Sequence, residues 1–376
     1  MSLRRISAVF LISMVCGCGL FPQPITVPGP ESDSLLPTAK GFIVLEQAPG
    51  GVVAVQLPTL RKTTLRPQSS DNFADMAIIY ALSGPDNLGR IAYIEDHFYA
   101  NGINKQRHLL KTVRLDGSED TVIFSHTGSA LWAETSIGQG EIGHSISFAP
   151  TGGRVAFLSG LKDLQMPSAF LSQGSIEIWN IDQKTGKKTN LRGLDQGLSW
   201  FPDGKRLAYV KMVSRLDARV NNRADPIAVS FLDWNWDRIP AVFICDVDSQ
   251  TETFLHAGWC PIVSIDGSKA IIGDRDGSSY CVDIGTGKTS SLTGPGKDGP
   301  IAMLDERTLL AACYPTAGTK VKFSGAWPVN GPAEMFAVKL TRTDSQAFQT
   351  VIPYIASRTH ISFGLGRKYP PSPANK

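Results

Sequence analysis

Between Gly41 and Phe363 the chain reads as short apolar runs of four to eight residues, separated by Gly, Pro, Asp and Ser clusters. That is the rhythm of β-strands joined by tight turns. One segment recurs. Ser147–Phe157 reads SFAPTGGRVAF and Ser199–Tyr209 reads SWFPDGKRLAY, each an apolar strand, a Pro-x-Gly turn, a basic residue and a second apolar strand. A weaker third copy, Ile262–Ile272 (IVSIDGSKAII), keeps the Asp-Gly turn and both strands. Self-similarity of this kind, with four short strands per unit, predicts an all-β fold of the β-propeller type.

Extending the pattern outward gives strands a and b around each Gly turn, followed by c and d. In the third unit these are Ile146–Ala149, Val155–Ser159, Ile176–Ile181 and a strand beginning near Lys188. Strand c ends in a recurring turn, Ile181-Asp182-Gln183-Lys184-Thr185-Gly186, echoed at Val247-Asp248 and Ile284-Gly285-Thr286-Gly287. Asp bonds to its own backbone in such turns and Gly supplies positive φ. The first unit offers only three strands, within 42–66, whereas His360–Phe363 is left over at the far end. Assigned as strand a of the first unit, it joins the two ends in one sheet and predicts six blades; the strand count also leaves a seventh open.

The extra length falls between strands b and c: Asp96–His108, Gly160–Gly174, Lys211–Pro240 and Pro315–Pro332. Alternate connections of a blade emerge on opposite faces, so these four share one. Long loops on a rigid scaffold are where binding residues concentrate. The longest is aromatic in its second half, with Phe231, Trp234, Trp236 and Arg238; Phe98, Tyr99, Phe170 and Trp327 lie in or beside the others. Aromatic side chains and Arg dominate binding hot spots, so these eight are the candidate partner-binding residues. The competing reading is that Trp234 and Trp236 extend a hairpin packed on the rim.

The N-terminus changes the picture of where such a domain works. Arg4 and Arg5 precede an apolar run, Ile6–Val15, that ends in Val15-Cys16-Gly17-Cys18. This is the pattern of a signal peptide, residues 1–17. Its end resembles the lipobox of bacterial lipoproteins. That resemblance makes Cys18 the lipidated residue and residue one of the mature chain, held stably at a membrane by its acyl chains. Residues 18–40 carry five prolines and few large apolar residues. They read as a disordered tether, 41–366 as the propeller domain, and 367–376 as a second disordered tail.

Charge and composition then exclude rather than select. The 37 basic and 34 acidic residues become 35 and 34 once Arg4 and Arg5 are removed. A nearly neutral chain without a basic stripe does not predict nucleic-acid binding. Cys245, Cys260, Cys281 and Cys313 each fall in a different expected strand, which fits buried thiols as well as one or two disulfides. No cofactor or metal is indicated. Gly285-Thr286-Gly287-Lys288-Thr289 lacks the first glycine of a phosphate loop, because Val282 stands there. Asp274-Arg275-Asp276-Gly277 lacks the closing Glu of a calcium loop. The histidines show no metal spacing, though a catalytic group assembled from several blades would leave no linear motif.

The paired strands around Pro202-Asp203-Gly204 and the expected blade count resemble the TolB-type propeller, most sharply in units three to five. The resemblance implies an envelope protein that binds other proteins, or a gating domain beside a hydrolase, for which this chain leaves no length. The function expected is therefore a monomeric, lipid-anchored module that binds an envelope protein partner through the b-to-c face. The alternative is an envelope hydrolase or carbohydrate-processing enzyme working at the central channel.

Overall fold

The computed structural model describes residues 40–47, 51–67, 77–98, 105–129, 142–166, 169–195, 197–221, 237–274, 278–292, 300–305, 307–313, 335–342, 348–356 and 361–364. The chain begins with β1 (Gly41–Gln47), β2 (Gly51–Leu57) and β3 (Arg61–Arg66), then β4 (Ala77–Leu82), β5 (Arg90–Phe98), β6 (Lys105–Arg114) and β7 (Thr121–Ser129). Next are β8 (Ile142–Phe148), β9 (Arg154–Met166), β10 (Ala169–Asn180) and β11 (Thr185–Leu194). The following unit holds β12 (Leu198–Trp200), β13 (Arg206–Ser214), the helix α1 (Arg215–Asn221), β14 (Arg238–Asp246) and β15 (Glu252–Ala257). Then come β16 (Trp259–Val263), β17 (Lys269–Gly273), β18 (Ser279–Asp283) and β19 (Thr289–Ser291). Last are β20 (Pro300–Met303), β21 (Thr308–Cys313), β22 (Met335–Arg342), β23 (Phe348–Ala356) and β24 (Ile361–Gly364).

Among the described residues these strands form six four-stranded antiparallel sheets, five of them built from strands consecutive in sequence. The remaining sheet has the order β24-β1-β2-β3, with Ile43 opposite Phe363 and Leu45 opposite Ile361. The first strands β4, β8, β12 and β16 neighbour one another in turn, β16 neighbours β20, and β20 neighbours β24. This is an all-β propeller.

Repetition in the sequence becomes repetition of hydrogen bonds. Leu115, Ile181, Val247 and Ile284 each begin a c-to-d turn, and their N–H groups donate to Gly89, Gly153, Lys205 and Ser268 at 2.8–2.9 Å. Each acceptor immediately precedes the basic residue of its own a-to-b turn, so one bond recurs in four sheets. The serines that open the two clear copies join neighbouring sheets. Ser147 Oγ accepts from Trp200 N at 3.3 Å, and Ser199 Oγ accepts from Val263 N at 3.0 Å. Ser83 does the same for Phe148 N at 2.7 Å. The turns themselves touch. Gly204 has φ +63°, and a Cβ there would lie 2.0 Å from Thr151 Oγ1 of the preceding unit. Gly267 has φ +75° and would meet Pro202 Cγ at 2.9 Å. Glycine is required by the left-handed backbone and by the close approach together.

Apolar clusters fill the spaces between sheets. Ile94, Leu110, Ile123, Phe148, Phe157 and Ile181 join the β4–β7 sheet to the β8–β11 sheet. Ala156, Leu158, Ile176, Trp200, Tyr209 and Val247 join the latter to the β12–β15 sheet. Tyr209 occupies in its copy the place of Phe157, and both are 0% exposed. The Tyr209 hydroxyl has no partner among the described residues. Tyr209→Phe is therefore expected to raise stability by about 1 kcal/mol, because a buried unpaired polar group carries a desolvation cost. A lower denaturant midpoint for the variant would contradict this.

Three expectations about the excursions need correction. The segment Gly160–Gly174 is not a loop: β9 and β10 continue as a paired hairpin to Met166 opposite Ala169. The reason is apolar alternation, since Leu164 faces Leu171 across the pair and Leu171 is 2% exposed. Strand c of this unit accordingly begins at Ala169 rather than Ile176. Likewise, most of Asp96–His108 is strand, with Asp96 opposite His108 and Phe98 opposite Gln106. The insertion after β13 opens with α1, capped by Ser214, whose Oγ accepts from Asp217 N at 3.0 Å. Asp217 stands in the first turn, where a carboxylate favours the helix dipole.

Candidate functional site: the b-to-c face

Two of the four excursions do not stand apart. Leu171, from the β9–β10 hairpin, shares one apolar cluster with Met212, Ala218 and Ile239 of the following unit, and Leu164 and Val213 pack against its edge. Ala218 is the residue of α1 that enters this cluster, at 0% exposure. The base of the α1 excursion is closed by Arg215 N donating to Asp237 O at 2.8 Å. Leu216, one residue into the helix, is 71% exposed. A folded shelf thus spans two sheets at the ends where strand b gives way to strand c. Burying Leu171 fixes it to the scaffold by on the order of 1.5–3 kcal/mol, to which the single methyl of Ala218 adds about 0.8 kcal/mol.

The candidate binding residues distribute unevenly over this shelf. Arg238 opens β14 opposite Ser214, and its Nη2 donates to Met212 O at 3.0 Å. It therefore braces the base of the insertion. Phe98 ends β5, and Phe170 is the second residue of β10, opposite Gln165. Tyr99, Phe231, Trp234, Trp236 and Trp327 lie outside the described residues, as does Cys18. Cys245, Cys260 and Cys281 carry free thiols. Burial pushes the Cys245 thiol up to about 11.

Sequence reasoning missed two charged constellations. In the first, the basic residues of two a-to-b turns, Arg90 and Arg154, reach into the next unit. Arg90 bonds to Asp182 at 2.6 Å and lies 5.7 Å over the Phe148 ring. Arg154 pairs with Asp248 at 3.3 Å and lies 5.3 Å over Trp200. The third basic residue finds Val263 and Gly285 at the corresponding positions, and Arg206 turns to its own unit instead, bonding Asp203 at 2.6 Å and covering Phe201 at 4.3 Å. The signal was present in the sequence, as the Arg of each turn and the Asp that follows strand c.

The second constellation centres on Glu95, buried in β5 between the first two sheets. Its carboxylate meets Arg66 at 3.0 Å, Lys111 at 3.4 Å, and His97. Lys111 also pairs with Asp120 at 2.8 Å, and Asp120 accepts from Tyr93 OH at 2.7 Å. Burial by itself raises the Glu95 carboxyl; contacts with His97, Arg66 and Lys111 outweigh it and hold the group at about 2, against an ordinary 4.5. A carboxyl depressed in the folded state stabilises it above the unfolded value and loses that contribution as pH falls. Stability from this network is thus expected to be complete above pH 4.5 and to disappear as pH falls towards 2. Unfolding curves of the wild type and Glu95→Gln between pH 7 and 2 are expected to converge in that window; a constant gap would contradict the assignment.

No protein-family model and no curated protein sequence matches the chain. Solved structures do. TolB from Acinetobacter baumannii superposes with a TM-score of 0.51 at 16% identity, covering 86% of this chain; the chain spans 66% of that protein, just under two thirds of its length. An oligogalacturonate lyase in complex with manganese gives 0.45 at 16% identity over 74% of this chain and 72% of the other. Puromycin hydrolase gives 0.43 at 12% identity over 88% and 47%. At these identities the likeness concerns fold alone, and a propeller hosts many unrelated functions. The chain has a TolB-like β-propeller fold.

Proposed function

We propose that this chain is a lipid-anchored envelope propeller of six blades, ringed shut by β24 against β1, that binds a protein partner through its b-to-c face. The observation that carries the reading is the shared cluster of Leu171, Met212, Ala218 and Ile239. Two excursions from separate sheets are cemented into one shelf, whereas drifting surface loops would be independent of each other. The sequence between α1 and Arg238 carries Phe231, Trp234 and Trp236. Anchoring through Cys18, with residues 19–40 as a tether, would leave the propeller free to turn this face toward a partner beside the membrane.

Exchange of both tryptophans for alanine in the full-length, membrane-extracted protein tests the reading. The expected result is at least tenfold weaker partner capture with an unchanged unfolding midpoint, as for hot-spot aromatics. A lowered midpoint with capture intact would make the tryptophans rim packing and overturn the proposal.

A further inference from the structure

One row of residues across the β4–β7 sheet is polar where the row beside it is apolar. Ile94 lies opposite Leu110, and Leu110 opposite Phe124. These three pack with Phe157 of the β8–β11 sheet. Two residues further along each strand, toward the b-to-c face, Asp96 lies opposite His108 and His108 opposite His126. Alternate residues of a strand share a face, so this second row borders the same inter-sheet space. His108 is 6% exposed there. Asp96 and His126 enter by strand position, which the backbone ladder fixes.

The opposing sheet supplies a carboxylate. Glu177 lies opposite Phe157, whose ring is 6.1 Å from that of Phe124. The Trp179 ring lies 5.1 Å from the same Phe124. From that contact, Glu177 and His126 are each one same-face step toward the b-to-c face. Ser159 Oγ donates to one Glu177 oxygen, and Trp179 Nε1 donates to the other at 3.1 Å. A carboxylate has about four lone-pair sites, so both oxygens can still accept. Donors that orient a carboxylate in this way are what the outer shell of a metal site supplies.

Directly opposite residues of an antiparallel pair have Cβ atoms about 4.5–5.5 Å apart. Two imidazoles at that spacing can share one ion through zinc–nitrogen bonds of about 2.0–2.1 Å. Imidazole suits zinc and its transition-metal neighbours, whereas magnesium and calcium take oxygen. Linear spacing shows none of this, because Asp96, His108 and His126 become neighbours only through strand pairing. We propose that His108, His126, Asp96 and Glu177 form a binding site for one divalent transition-metal ion of the zinc type, held between the β4–β7 and β8–β11 sheets. Four protein ligands close a tetrahedral shell, so the ion clamps two adjacent sheets and leaves no position for a substrate. The site does not depend on the partner-binding reading.

Calorimetric titration of the untagged, metal-stripped full chain with zinc chloride, and in parallel with magnesium chloride, tests the site; cobalt chloride reports the ligands through its visible spectrum. Saturable binding of one zinc per chain is expected, with a tetrahedral cobalt spectrum free of thiolate charge-transfer absorption and with magnesium binding far weaker. His126→Ala and Glu177→Gln are each expected to weaken zinc at least tenfold, since an outer-shell partner alone is commonly worth about 10–100-fold. Saturating zinc is expected to raise the unfolding midpoint of the wild type and to raise that of either variant less. Glu177→Gln keeps an acceptor for Trp179 Nε1, so its metal-free midpoint should stay close to the wild-type value and its zinc affinity reports on ligation alone. No saturable zinc binding, unchanged affinity in either variant, magnesium binding as tight as zinc, or a thiolate band placing the metal on a cysteine would each overturn the proposal.

Discussion

Phe157→Ala is expected to destabilise the propeller by about 4 kcal/mol, within the usual range for removing a fully buried aromatic ring. The ring is 0% exposed and sits where the β4–β7 and β8–β11 sheets meet, 6.1 Å from the Phe124 ring. Its surroundings are strand residues such as Ile94, Leu110 and Val155, whose backbones are fixed by ladder hydrogen bonds. They have little freedom to collapse into the vacated volume, so the cavity term adds to the lost transfer free energy. Phe157→Leu keeps most of the volume and is expected to cost about 1.5 kcal/mol or less. Denaturant unfolding of both variants checks the pair. A loss below about 1.5 kcal/mol for the alanine variant would mean that this inter-sheet space closes up, contrary to the packing described.

The second large effect comes from comparing two turns with the same hydrogen bonds and different burial. Asp86 Oδ1 accepts from the Leu88 and Arg90 N–H groups at 2.9 and 2.8 Å, and Oδ2 accepts from Arg90 Nε at 3.0 Å. Asp203 does the same for Lys205 N, Arg206 N and Arg206 Nε, at 2.8, 3.0 and 2.6 Å. Yet the Asp86 side chain is 0% exposed against 34% for Asp203, and their arginines are 9% and 42% exposed. Asp86→Ala leaves a buried guanidinium with Asp182 as its one remaining carboxylate partner among the described contacts, and is expected to cost about 3 kcal/mol. Asp203→Ala loses comparable bonds at the surface, where water replaces them, and is expected to cost about 1 kcal/mol or less. Equal losses at the two positions would show that the turn bonds, rather than charge burial, set the energy.

The copies SFAPTGGRVAF and SWFPDGKRLAY made the fold class legible, because each residue type in them has one local task. Serine links to the next sheet, the Gly turn touches its neighbour, arginine covers an aromatic ring and pairs with an Asp, and the last aromatic fills the inter-sheet space. Where the third copy changes Ser199 to Ile262 and the following unit changes Asp248 to Gly285, the corresponding contacts change as well. What remained hidden were features fixed by partners distant in sequence. Leu164 and Leu171 read as loop residues because their alternation spans too few positions to mark a strand; pairing with each other and burial against Met212 and Ala218 make the hairpin. Glu95 read as one charge in a strand, and nothing local announces that Arg66 and Lys111 converge on it. Arg238 looked like a hot-spot residue by type, whereas its hydrogen bond to Met212 gives it a bracing role.

The central claim, that a protein partner docks on the b-to-c face, is tested most directly by site-specific photo-crosslinking from two positions in the native membrane. One probe replaces Leu216, exposed on α1; the other replaces Lys184, exposed in the turn at the opposite end of the neighbouring strands. The account predicts a discrete crosslinked protein from position 216, absent from position 184 and lost when residues 222–236 are exchanged for a Gly-Ser sequence of equal length. A crosslink from 184 alone, or from both positions irrespective of the exchange, would contradict it.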